Sequence, residues 1–104
     1  MISSEERATI ARQIGRIYIL MISGGRINAI EDGIELPVSN GYIVRVRYNK
    51  GGDDYTVERV FRRAGREWVK GEQSRVYCDQ VAEAAYYASC FRSYDETEWV
   101  GRAA

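Results

Sequence analysis

The chain contains no histidine, and it has only two cysteines and one proline among its 104 residues. Without histidine, a Ser-His-Asp or Cys-His nucleophilic site in its usual form is excluded. Two thiols with no imidazole cannot supply the four ligands of a zinc site within one chain. Long apolar runs are missing as well. The longest, Ile17 to Ile22, falls far short of the ~20 residues that span a bilayer, so no membrane helix is expected. Glu5 and Glu6 precede that run and no small-residue cleavage site follows it, which argues against a secretory leader. The expectation is a cytoplasmic protein with reduced thiols. Spacing agrees: Cys78 and Cys90 fall in one expected helix, where twelve residues separate them by about 18 Å, beyond disulfide reach. Net charge is the last absence, with fifteen Lys and Arg against fifteen Asp and Glu. The balance hides a gradient. Residues 42–76 carry nine basic against five acidic side chains, and from Tyr77 onward the count is two against five, an asymmetry that can orient a partner through its field.

What is present is an ordinary globular composition, 45% hydrophobic and 29% charged, enough to build a core at a length that holds one domain, residues 1–104. Ser3-Ser4-Glu5-Glu6 reads as a capping box, which predicts a helix over 4–14 with Gly15 as its stop. Ile17–Ile22 is apolar on both parities and rich in β-branched and aromatic residues, as in a strand buried on two faces; continuation of the first helix is the alternative. With Ser23-Gly24-Gly25 as the turn, that strand would form a hairpin with Arg26–Ile30. Glu31-Asp32-Gly33 closes the next turn, Ile34–Val38 is a short extended piece, and Asn40-Gly41 is the strongest hairpin signal of the chain.

Tyr42, Val44, Val46 and Tyr48 then alternate with Ile43, Arg45, Arg47 and Asn49, the period of a strand. Tyr55–Arg62 and Arg66–Lys70 supply two more strands of an antiparallel meander. Gly71–Arg75 reads as a loop, followed by a helix from Tyr77 or Cys78 to about Arg92 with a small-residue stripe at Cys78, Val81, Ala85 and Ala88. The fold class that results is α+β: a single domain with an antiparallel sheet of roughly four to six strands, flanked by an N-terminal and a C-terminal helix.

The chemistry is sparse. Glu31-Asp32 and Asp53-Asp54 read as solvated turn carboxylates rather than a magnesium site. Ser23-Gly24-Gly25-Arg26 lacks the spacing of a phosphate loop. Cys78 reads as a packed small residue. No catalytic residue, metal ligand or cofactor is assigned. Eight tyrosines and two tryptophans are many for a small domain, and such rings are enriched at the centres of protein interfaces. Tyr48, Tyr55, Trp68, Tyr86, Tyr87, Tyr94 and Trp99 are therefore the candidate partner-binding residues.

Arginines also interleave with rings in the meander, from Tyr42 and Arg45 through Arg59, Phe61, Arg62, Arg63 and Arg66 to Trp68. Sheet platforms that bind single-stranded nucleic acid combine those residue types, and Arg45, Arg47 and Arg62 are the candidates for that role. Against it, the rings can face the helices while the arginines form a solvated face ion-paired to Glu58 and Glu67. A zero net charge is also far from the pI above about 9 usual for such domains.

The stretches Ile22-Ser23-Gly24-Gly25-Arg26, Leu36-Pro37-Val38-Ser39-Asn40-Gly41-Tyr42, Tyr55-Thr56-Val57-Glu58-Arg59-Val60-Phe61 and Tyr77-Cys78-Asp79-Gln80-Val81 resemble those of small uncharacterised proteins of actinobacteria and their phages. Size and helix–meander–helix order are similar to compact phage-encoded inhibitors such as the anti-CRISPR proteins. The resemblance implies no activity or cofactor. The expected function is a non-enzymatic binding protein, phage or prophage encoded, that occupies a surface of a host protein; the alternative is a nucleic-acid-binding module. Homo-oligomerisation is left open.

Overall fold

The computed structural model describes residues 2–90. Three helices, α1 (Ser4–Ile14), α2 (Arg16–Ser23) and α3 (Val81–Ser89), enclose the five strands β1 (Asn28–Ile30), β2 (Gly33–Pro37), β3 (Tyr42–Asn49), β4 (Asp54–Arg63) and β5 (Arg66–Val76) in chain order. The strands form one antiparallel sheet in the order β1-β2-β3-β4-β5. The protein is thus an α+β domain, as its sequence predicts. None of its described helices is long and apolar enough to cross a membrane.

The capping box forms as expected: Glu6 N donates to Ser3 Oγ at 3.1 Å and Ser3 N donates to Glu6 Oε1 at 2.8 Å. That backbone donor, with Lys50 nearby, holds the Glu6 carboxyl below its ordinary value. Gly15, at φ 94°, then separates α1 from α2. The expected two-sided strand over Ile17–Ile22 is not observed, and the helical alternative holds. The reason is tertiary. The core lies on one face of the sheet, so a strand buried on both faces has nowhere to sit, whereas a helix sends Ile19, Ile22 and Ser23 inward.

Consequently Ser23-Gly24-Gly25 is a helix terminus rather than a hairpin turn. Gly24 takes the left-handed conformation (φ 67°, ψ 22°). Its N–H donates to Leu20 O at 2.9 Å, and Gly25 N donates to Ile19 O at 3.4 Å, which satisfies the last carbonyls of α2. Asn28–Ile30 pairs instead with Gly33–Glu35 across the Glu31-Asp32 turn. The Asn40-Gly41 turn between β2 and β3 has both residues at positive φ, 55° and 87°, as expected. Gly33 has a different reason to be glycine: a Cβ there would collide with the Val46 carbonyl oxygen of the neighbouring strand.

The stretch 71–75, expected to be a loop, continues β5 as far as Val76, with register shifts between Arg59 and Val60 and between Tyr55 and Val57 of its partner. Bulges let the edge strand keep pairing while it bends, which blurs its alternation. The last helix is shorter at its start than expected. Cys78 sits in the turn before α3 and Cys90 caps its end, so the two do not share a helix; the two thiols are not joined to each other, and Cys78 is exposed rather than packed.

The core joins Ile10, Ile14, Ile19 and Ile22 of α1 and α2 to Ile34, Leu36, Val44, Val46 and Val57 of the sheet, and to Val81, Ala84, Ala85 and Ala88 of α3. Each fully buried isoleucine, leucine or valine among these contributes roughly 1.5–3 kcal/mol. Arg59, only 1% exposed, lies on this same face. Its Nε donates to Ala88 O at 2.5 Å and its Nη2 to Tyr87 O at 3.3 Å. A cation against the carbonyl end of a helix meets both the unpaired acceptors and the dipole.

Candidate interaction surfaces

The face of the sheet away from the helices is a charge network. Register alignment places Glu35, Arg45 and Glu58 side by side on β2, β3 and β4. Arg45 bridges Glu35 at 3.1 Å, Glu58 at 3.4 Å and Glu67 at 2.7 Å. Arg62 bridges Glu35 at 2.9 Å and Glu67 at 2.8 Å. Arg47 reaches Asp32 at 2.8 Å and Glu58 at 3.7 Å.

Partial burial alone would lower the Arg45 value, but its bonds to Glu67 and Glu35 outweigh that and raise it. Hydrogen bonds to Asp32 raise Arg47, and bonds to Glu35 and Glu67 raise Arg62. Conversely, Arg45 and Arg62 hold the Glu67 carboxyl below its ordinary value. The three arginines singled out for nucleic acid are therefore each ion-paired within the chain. The rings of Tyr42, Tyr48, Tyr55 and Phe61 alternate with them in register and lie on the helix side, so stacking surfaces and cations occupy opposite faces.

The rings proposed for a protein partner are dispersed. Tyr48 and Tyr55 pack together at 5.6 Å between ring centroids. The Tyr48 hydroxyl donates to Asp53 Oδ1 at 2.8 Å, which raises its pKa. Tyr55 is buried, its hydroxyl bonded to Gln13, and burial raises its pKa. Trp68 lies in a separate row, its ring 5.7 Å from that of Phe61, which in turn lies 5.1 Å from that of Tyr42. Tyr86 meets Tyr18 edge-on at 5.8 Å, and with Tyr87, Gln73, Gln80 and Glu83 these two line a shallow depression of about 420 Å³. The described rings thus fall in three places and make no single patch. Tyr94 and Trp99 lie outside the described residues.

A contiguous apolar surface occurs elsewhere. On α2, Ile17 is 68% exposed, Leu20 50% and Met21 54%, and Ile27 beyond the helix is 44% exposed. A groove of about 480 Å³ runs between α1 and α2, with Ala8 and Ala11 on one wall, Ile19 and Leu20 on the other, and Ile27 at one end. Arg12 and Arg16 line it, and Arg26 adjoins Ile27 in the chain. Arg12 donates only to Thr9 Oγ1 at 3.1 Å, and Arg26 donates to the Ser23 carbonyl at 3.1 Å. Among the described residues none of these three has a carboxylate partner, in contrast to the arginines of the sheet.

Sequence reasoning misses this surface because it assigns the whole of Ile17–Ile22 to a buried strand. Helical spacing puts positions 19, 22 and 23 on one face and 17, 20 and 21 on the other, but every position from 17 to 22 is apolar, so residue type marks neither face. No family model matches the chain, and neither a curated protein nor a solved structure matches it.

Proposed function

We propose that this chain is a non-enzymatic binding protein that works by covering a surface of another protein, and that α2 presents the contact. The observation that carries the reading is the exposure of Ile17, Leu20, Met21 and Ile27 together on one side of the molecule. Clustered apolar side chains in water are unfavourable unless a partner covers them, and three of these project from an α2 that is otherwise anchored by Ile19 and Ile22. The resemblance to proteins of actinobacteria and their phages makes a host protein the expected partner and the cytoplasm the expected compartment. Ion pairing of Arg45, Arg47 and Arg62 weighs against the nucleic-acid alternative.

The test is site-specific crosslinking. A photoreactive side chain at Met21 should capture one protein from an actinobacterial lysate, and the same group at Lys50, on the β3–β4 turn and outside the groove lining, should not. Leu20→Glu should abolish the capture while thermal unfolding stays close to that of the parent. Equal capture from both positions, or capture that survives Leu20→Glu, overturns the assignment of α2.

A further inference from the structure

We infer that the groove between α1 and α2 receives an amphipathic helix with acidic flanks; this inference rests on the reading of α2 as a docking face and names the kind of partner. Three observations lead to it. First, the site is concave. Ala8 and Ala11, three apart on α1, keep one wall low, while Leu20 and Ile27 stand opposite. Small residues allow helices to approach to about 8 Å, and side chains repeating at helical spacing can enter such a trough. The part of α1 that lines the groove runs from Ala8 to Arg12, about 6 Å of wall, which matches one turn of a partner helix.

Second, the rim is of one sign. Arg12 and Arg16 line the groove, Arg26 precedes the lining residue Ile27 in the chain, and none has a carboxylate partner among the described residues. Glutamates or aspartates on either side of a partner's apolar stripe would meet them, the arrangement that steers encounter and fixes register. Third, the same arginines disfavour the other occupants. Two copies packed through this face would bring like charges together, which costs affinity. A lipid surface would take up the projecting Ile17, Leu20 and Met21 and leave the recess lined by Arg12 and Arg16 unfilled.

The full-length protein can be titrated with two synthetic helical peptides of about three turns, stapled to hold the helix. Both carry the same leucine stripe, one flanked by glutamates and the other by lysines. The expected result is binding of the glutamate peptide at least about tenfold tighter than the lysine peptide. Amide shifts should concentrate at Ala8, Ala11, Leu20 and Ile27, and affinity should weaken between about 50 and about 300 mM salt as screening grows. In the double variant Arg12→Glu, Arg16→Glu the preference should invert.

Equal affinity, a preference for lysine, shifts elsewhere, or no binding of either peptide at about 1 mM overturns the inference. So does tighter binding to phosphatidylserine vesicles than to the glutamate peptide, or self-association that occludes the groove. The two levels separate cleanly. Failure of capture at Met21 removes the docking face itself, whereas capture at Met21 with no acidic preference removes only the acidic helix.

Discussion

Arg45 touches three carboxylates, and Glu67 is the one most open to water, with 39% of its side chain exposed. Its bonds to Arg45 and Arg62 set a direction for acid stability. In the folded chain the carboxyl ionises below its ordinary value of 4.5, so the unfolded chain binds the proton more readily. The stabilisation is therefore complete above that value and is lost as pH falls through the lower, folded one. Replacing Glu67 with Gln should make stability fall less steeply between about pH 5 and pH 3 than in the parent, as urea titrations across that range would show; an unchanged slope would remove Glu67 from the account. At this scale the sequence is informative where two residues oppose each other across a strand pair. The pairing of sheet arginines with Glu58 and Glu67 follows from alternation. Glu35 does not, because the short strand that carries it gives little periodicity. Arg59 shares its parity with Val57 and Phe61, and that parity alone identifies it as inward-facing, although its residue type argues for solvent.

Helix α2 shows how an element is decided by its neighbours. A six-residue run with no polar interruption has no period to read, so strand and helix fit it equally, and the glycines after it serve a hairpin turn or a helix terminus with equal ease. Only the one-sided core excludes the strand. The glycine at the terminus gives the prediction that belongs here. Gly24 is left-handed, and a Cβ at that position would meet nothing within 4 Å, so the cost of Gly24→Ala is conformational alone, about 1 kcal/mol. Chemical denaturation should register that loss with unchanged m-value. A neutral substitution would mean that the end of α2 rearranges. The meander, by contrast, is legible in the sequence. Strand β3 alternates after Ile43, β4 alternates from Tyr55 to Glu58, and Asn40-Gly41 fixes one register. Bulged β5 is the exception, since bulges break the alternation by which it would be recognised.

For the whole molecule, the distribution of charge between the two sides matters more than its zero sum. One side has arginines already answered by carboxylates, and on the other Arg12, Arg16 and Arg26 have no carboxylate partner among the described residues. A protein arranged in this way should not shift single- or double-stranded DNA or RNA in a gel at about 10 μM, well below the ~100 μM weak end of non-specific binding, even at low salt. A shift that disappears with Arg45→Ala and Arg62→Ala would restore the nucleic-acid reading. The order of the strands has a consequence of another kind. Each strand pairs only with its neighbour in sequence, so every closure in the sheet is a short loop of low entropic cost. During synthesis, each strand from β2 onward emerges with its partner already outside the ribosome, and the sheet can assemble hairpin by hairpin in chain order. Only α3, the last described element, must reach back across the finished strands, so its arrival completes the apolar core.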